Sequence, residues 1–335
     1  MWILVCFVFL FPLGAHAQDA YAQAKSAFQH GKYATAAELF EKAEKNSPAT
    51  TDSLLYAAKC YVNLRRFADA ESSLRHFIAM NPKSPDAAYL LGYVLNRENK
   101  PKESLEIYTK AAVMTPPTGD DLKIVALDYT LLNDNADAIR WLERSVAMDA
   151  ENVEAWYFLG RCYYTGSRLT DARKAFEKVL ELDSHNAKAE NNLGLIAESS
   201  GKTEEALTAY RSAIAWQEGE KYQSEQPYLN LGGLLITEER PEEAIAPLQK
   251  AVELASSNAQ CKLRLGTAYM RVGRLAEAQK ELEEAVRLDP RDAAAHYQLG
   301  RYYKEVKRMD AAQAEFARVA ELQSKAIEEQ KKPLQ

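Results

Sequence analysis

Glycine and proline are scarce in this sequence, 14 and 12 residues among 335, which excludes collagen-like and low-complexity classes that need far more of both. Cysteine is rarer still: Cys6, Cys60, Cys162 and Cys261 match no CxxC or metal-ligand spacing, so neither a disulfide framework nor a zinc site accounts for them. The last three read as small buried apolar side chains. Histidines stand apart at positions 16, 30, 76, 185 and 296, and no two have the spacing of a metal-binding HExxH. No excess of positive charge exists either. Lys and Arg number 42 against 48 Asp and Glu, a formal net charge of −6, opposite in sign to a general nucleic-acid binder. The motifs GxSxG, GxGxxG and GxxxxGK[ST] are missing, and with them the hydrolase elbow and the phosphate loops. The apolar content of 47% argues against disorder.

One long apolar run occurs, from Trp2 to Leu13. As a helix it would span about 18 Å, short of the roughly 30 Å hydrocarbon core of a membrane. Small residues follow, and Ala15-His16-Ala17 fits an A-x-A cleavage site before Gln18. Residues 1–17 therefore read as a secretory signal peptide, although no Lys or Arg precedes the run. The expectation is an exported chain, periplasmic or secreted after cleavage near Ala17. If uncleaved, the segment would anchor it in a membrane. Cys6 lies inside the run and not at the cleavage boundary, which speaks against lipidation.

Residue classes return every 34 positions along nearly the whole remaining chain. A small residue recurs at Ala24, Ala58, Gly92, Ala126, Gly160, Gly194, Gly232, Gly266 and Gly300. Twelve positions on stands a second small residue: Ala36, Ala70, Ser104, Ala138, Ala172, Ala206, Ala244, Ala278 and Ala312. Four further on is a large one: Phe40, Leu74, Tyr108, Leu142, Phe176, Tyr210, Leu248, Leu282 and Phe316. The step is 34 throughout, except for 38 between Gly194 and Gly232. Such a rule describes a helical hairpin: the small residues let two antiparallel backbones approach, and the large one fills the space beside them. Bulky residues one before and three after the first small one complete an i, i+4 face. Pro48, Pro82, Pro116 and Pro290 punctuate unit ends, Pro101 and Pro241 open second helices, and Pro247 is expected to kink one. The carboxylate pairs Glu204-Glu205 and Glu242-Glu243 fall at second-helix starts, where the helix dipole favours negative charge.

The period of 34 and the series Trp156, Leu159, Gly160, Tyr163, Ala172, Phe176 resemble the tetratricopeptide repeat (TPR) pattern. The resemblance covers residues 18–323 as nine units, about 17–50, 51–84, 85–118, 119–152, 153–186, 187–220 with an insert to 224, 225–258, 259–292 and 293–323. Units one and four are weak copies. Residues 324–335 read as a polar cap extending the last helix, leaving no room for an appended catalytic domain. It implies an all-α fold, a right-handed superhelical solenoid of antiparallel hairpins, whose concave face is lined by the first helices. The four extra residues fall near Trp216 to Gln226. They read as a longer turn, or as a projecting loop with Trp216 and Tyr222 as anchors.

In proteins of this kind, extended peptides lie in the concave groove. The matching positions carry tyrosine and basic residues, most densely Tyr89, Tyr93, Arg97, Lys123, Tyr157, Arg161 and Tyr164. Counted over all units, these positions hold nine positive and six negative residues. They fit a channel for acidic or carboxylate-bearing peptides, with tyrosine anchors and bidentate arginines; they also fit an ordinary solvated face. The two-carboxylate clamp of some family members cannot be assembled, because Leu127 follows Lys123 and Tyr157 stands where a clamp lysine would be. The resulting expectation is a non-enzymatic, exported scaffold for a protein or peptide in cell-envelope assembly or secretion. It needs no cofactor or metal, binds no nucleic acid and, once cleaved, has no stable membrane insertion. Alternatives are a self-associating structural protein and a non-catalytic subunit that recruits an enzyme; oligomeric state is left open.

Overall fold

A computed structural model describes residues 13–46 and 52–331. The apolar run through Phe11 and Pro12, and Pro48, lie outside the described residues. Among the described residues the chain forms eighteen helices and no strand. It divides into two compact units, Met1–Arg168 and Leu169–Gln335.

In the first unit the helices are α1 (Leu13–Gln29), α2 (Tyr33–Asn46), α3 (Asp52–Asn63), α4 (Phe67–Met80), α5 (Pro85–Arg97), α6 (Pro101–Met114), α7 (Gly119–Leu131), α8 (Asn135–Met148) and α9 (Val153–Thr165). The backbone of α1 runs through the expected cleavage point at Ala17. The second unit holds α10 (Leu169–Leu182), α11 (Ala187–Ser199), α12 (Thr203–Gln217), α13 (Gln226–Thr237), α14 (Pro241–Leu254), α15 (Ala259–Arg271), α16 (Leu275–Leu288), α17 (Ala293–Glu305) and α18 (Met309–Lys331).

Within each hairpin three residues join the helices, and their conformation repeats. The middle one has positive φ at Gly31, Arg65, Asn99, Asn133, Ser167, Gly201, Glu239, Gly273 and Lys307. The next residue closes a Schellman bond back to the first helix, as in Lys32 N to Ala27 O at 2.9 Å and Arg308 N to Tyr303 O at 2.8 Å. Within either unit this left-handed residue reverses the chain in three positions and sets the following helix antiparallel to the one before. Six first helices, α5, α7, α9, α11, α15 and α17, are instead entered through side-chain caps: Asn152 Oδ1 accepts from Ala155 N at 3.0 Å, and Thr118 and Asp121 form a capping box, whereas α13 has no side-chain cap.

The recurring small and large residues are the core. Every small-residue position from Ala24 to Gly300 and from Ala36 to Ala312 is buried, Gly160 and Ala172 included. Phe40, Leu74, Leu142, Phe176, Tyr210, Leu248 and Leu282 show no exposure. A Cβ on Gly92 would lie 2.5 Å from the Tyr108 ring, one on Gly194 2.5 Å from Tyr210, and ones on Gly266 and Gly300 2.7 Å from Leu282 and Phe316. Gly232 stands equally close to Leu248. Only glycine admits these large partners at that helix separation. Cys60, Cys162 and Cys261 are buried free thiols, and burial pushes Cys60 and Cys261 up to about 11.

Successive hairpins are further joined by a recurring trio. Tyr61, Tyr163 and Tyr303 donate to Glu41, Glu143 and Glu283 of the preceding hairpin, the latter two at 2.6 and 3.0 Å. At Tyr269 the hydroxyl accepts from Gln249 Nε2 at 2.8 Å. Over these four rings sit the guanidinium groups of Arg66, Arg168, Arg274 and Arg308, at 4.6, 4.3, 4.5 and 4.7 Å. Each arginine is the residue that closes the Schellman turn, so the turn itself delivers the cation to the ring.

The extra residues occupy an eight-residue connection, 218–225, between α12 and α13. It is held by Gln217, 3% exposed, whose amide donates to Ser224 O at 2.9 Å and accepts from Ser224 N at 2.8 Å. Trp216 packs edge-on against His185 at 5.4 Å, whereas Tyr222 is 80% exposed. Pro247 does not break α14, which runs continuously from Pro241 to Leu254.

Candidate functional site

On α5, Tyr89, Tyr93 and Arg97 follow one another at helical spacing on one face, because residues four apart share a side. Tyr89, Tyr93 and Lys123 line a cavity of about 560 Å³ between α5, α6 and α7. The Tyr89 hydroxyl donates to Thr115 O at 2.6 Å, and its ring lies 5.7 Å from that of Tyr108. Burial raises the Tyr89 pKa, and Asp121 adds to the shift. Tyr108 is 4% exposed, and burial first, then the charge of Asp121, hold its phenol firmly protonated.

Lys123 carries its charge into a nearly buried place, being 8% exposed. Its Nζ donates to Asp120 Oδ1 at 2.9 Å and to Glu154 Oε2 at 2.6 Å. Burial opposes the charge, but these two bonds outweigh it and raise the Lys123 pKa. Asp120 is lowered by Lys123 and by Asn152, whose Nδ2 donates to it at 2.8 Å. The spacing that placed Lys123 in the groove also placed Asp120 and Glu154 there, one helix turn and one repeat away. Lys123 is thus a strut between α7 and α9 and not a free cation for a ligand.

The other expected residues are dispersed. Arg97 is exposed, with its guanidinium 5.6 Å from the Phe67 ring. Arg161 lines a separate cavity of about 190 Å³ with Leu127, Asn135 and Phe158. Half-buried Tyr157 sets its ring 5.8 Å from Phe158, and Tyr164 is half-buried one turn beyond Arg161; neither tyrosine lines either cavity. Among the described residues, neither Arg97 nor Arg161 has a carboxylate within 4 Å.

A buried polar cluster lies behind Tyr108. Asp128 has no exposed surface, accepts from Asn96 Nδ2 at 2.9 Å, and meets Ser104 Oγ at 2.5 Å. Ser104 Oγ also lies 2.9 Å from Gly92 O. One hydroxyl proton cannot serve both acceptors. A protonated Asp128 resolves this, donating to Ser104 Oγ while Ser104 donates to Gly92 O. Desolvation accordingly raises Asp128 to about 6, although the bonds from Ser104 and Asn96 work the other way. A signal for this cluster exists in the repeat: Ser104 interrupts a column of alanines, and Asp128 a column otherwise filled by Ser26, Cys60, Val94, Cys162, Ile196, Leu234, Ala268 and Tyr302.

The geometry matches known proteins at the level of fold and family. Sequence profiles described as tetratricopeptide repeat match residues 27–92 and 235–287, 132–187 and 263–327, and 185–257. BBSome complex member BBS4 of Xenopus tropicalis is 27% identical over 128 residues, which are 38% of this chain and 25% of that protein. Cellulose synthase operon protein C of Pseudomonas fluorescens is 26% identical over 168 residues, 48% of this chain and 13% of that one. The chain thus spans a quarter or less of the length of these relatives. Among solved structures, a tetratricopeptide repeat protein from Parabacteroides merdae superposes with a TM-score of 0.59 at 19% identity, covering 74% of this chain and 97% of that one. Profile matches over most of the chain, on helices joined by turns of one conformation among the described residues, make this protein a member of the tetratricopeptide repeat family.

Proposed function

We propose that the protein is a non-catalytic scaffold that binds an extended protein segment along its first helices. The observation that carries this reading is the face shared by α5, α7 and α9. It presents tyrosines that are already ordered and two arginines, Arg97 and Arg161, with no carboxylate within 4 Å among the described residues, on helices fixed by caps and Schellman turns. Pre-ordered aromatic and Arg anchors limit the ordering cost of binding to the ligand. Carboxylates of the segment would meet Arg97 and Arg161, which offer bidentate donors. Lys123, already held by two carboxylates, contributes packing instead. The apolar run at the N-terminus and the small residues to Ala17 support export of the chain to the periplasm or the exterior, where such a scaffold would serve envelope assembly or secretion.

Affinity capture from the envelope fraction of the source cells tests the binding reading, using the chain from Gln18 and a variant with Tyr93, Arg97, Tyr157 and Arg161 changed to Ala. A partner held by the first and lost from the second is the expected result. A partner held equally by both would refute this face as the site. The intact mass of the chain recovered from those cells tests export: a start at Gln18 is expected, and a chain that retains Trp2 to Leu13 in the soluble cytosol would refute it.

A further inference from the structure

The cavity between α5, α6 and α7 has a charge pattern that an acidic ligand does not explain. Of its two lysines, Lys123 is bonded to Asp120 and Glu154, and Lys59 is held with Nζ 5.2 Å from the centre of the Tyr56 ring, which leaves one cation against Asp86 and Asp121. Its carboxylates are less committed. Asp86, exposed in the first turn of α5, has no cation within 4 Å among the described residues. Asp121 uses Oδ2 to accept from Thr118 N and Oγ1, at 2.8 and 2.6 Å, which leaves Oδ1 open.

The walls add a second, independent feature. Tyr89, Tyr93 and Tyr108 all line the cavity. Tyr108 is 96% removed from solvent, being 4% exposed, yet its hydroxyl has no hydrogen-bond partner among the described residues. The hydroxyl is not sealed in the core but opens into the cavity, where it is free to donate to a ligand acceptor. Aromatic faces beside uncompensated carboxylates favour a cation, and a volume of about 560 Å³ is ample for one side chain with its adjoining backbone.

We infer that this cavity receives a basic side chain, lysine or arginine, of the peptide bound along the first helices. The tyrosine rings form its walls, Asp86 and Asp121 supply the counter-charge, and the Tyr108 hydroxyl donates to a carbonyl of the peptide. This inference rests on the first-helix face being a peptide site. It gives that site a sense of charge: basic into the cavity at α5 to α7, acidic toward Arg97 and Arg161 outside it.

The test is selection of random eight-residue peptides displayed on phage against the chain from Gln18. Arginine or lysine should be enriched at one peptide position. For a selected peptide made synthetically, replacing that arginine by citrulline should weaken binding about tenfold, as expected for loss of a charge-assisted contact. Asp86→Asn should weaken the parent peptide by roughly three- to tenfold, and should add little to the citrulline effect, because both changes remove the same contact. Asp86 is exposed and unpaired, so the variant should melt with the wild type, and Tyr108→Phe should weaken binding without altering the charge preference. Selected peptides with no basic residue, or penalties for citrulline and Asp86→Asn that simply add, would overturn the inference while leaving the peptide site intact. Failure to select any peptide, or equal binding to the variant lacking Tyr93, Arg97, Tyr157 and Arg161, would overturn both.

Discussion

Replacing Asp128 by asparagine should stabilise the protein at neutral pH, against the usual rule that polar substitutions in a core are harmful. Asp128 is fully buried and has only neutral partners, Asn96 and Ser104. Its pKa rises from an ordinary 3.8 to about 6, and that gap corresponds to about 3 kcal/mol. The sign follows from proton counting. Between pH 4 and 6 the native chain holds a proton at Asp128 that the unfolded chain has released. Stability from this group is therefore fully present below about pH 3.8 and lost as pH rises through 6. Asparagine keeps the shape: its Oδ1 can accept from Asn96, and its Nδ2 can donate to Ser104 Oγ, which then donates to Gly92 O.

The effect is local, since a repeat array opens in segments and a single global transition would blur it. Hydrogen exchange of α5, α6 and α7 amides, followed by mass spectrometry, reads it directly. Comparing Asp128→Asn with wild type at each pH cancels the intrinsic exchange rate. The two should exchange alike near pH 4, and the variant should be slower by up to about a hundredfold at pH 7.5, the equivalent of about 3 kcal/mol. A ratio that stays constant from pH 4.5 to 7.5, or a variant that exchanges faster at pH 7.5, would show that Asp128 is comfortably ionised in the native state and would refute the proton count.

Adjacent glycines in α13 should respond in opposite ways. Gly232→Ala drives a methyl into fully buried Leu248 and should cost about 1–3 kcal/mol, read as faster hydrogen exchange of the α13 and α14 amides. Gly233→Ala displaces only the mobile Arg264 guanidinium, and with the helix preference for alanine should be neutral within about 0.5 kcal/mol. Glu239→Gly, at φ 57°, should raise stability by about 1 kcal/mol, because glycine adopts the left-handed conformation without the Cβ clash; a loss of stability there would contradict the turn assignment. Cys60, Cys162 and Cys261 should resist an aromatic disulfide reagent at pH 8 in the native protein. Under urea three thiols should react in a chain that starts at Gln18, and four if Cys6 is retained.

The hairpin was legible because its cause is periodic. A Gly or Ala opposite a large residue every 34 positions leaves no other packing, and those positions are the buried ones. The turn was hidden because its cause is a backbone angle: Arg65, Glu239 and Lys307 adopt positive φ although nothing in their chemistry asks for it. There the conformation is imposed by the two helices it joins, and glycine at three of nine turns is too few to announce it. The Tyr, Arg and Glu trio was hidden for a related reason. Its members lie 5 and 20 residues apart and meet only when one hairpin is laid on the next.

The site was the least legible part, because a repeat fixes where a side chain points but not what it meets. Lys123, Asp120 and Glu154 all fall at groove positions, and a count of charges treats them as independent. Stacking brings Asp120 and Glu154 onto one ammonium, so that three formal charges act as one strut. Asp86, lacking such a neighbour, keeps its charge for a ligand. Groove charge in a helical array is therefore what remains after neighbouring repeats have paired, and around Tyr89, Tyr93 and Tyr108 that remainder is negative. Substituting Lys123 by methionine separates the two accounts. If Lys123 is a strut, acidic peptides should bind as before and basic ones somewhat more tightly, since Asp120 and Glu154 are released toward the cavity. A marked loss of acidic-peptide binding would instead make Lys123 a ligand anchor and refute the pairing argument.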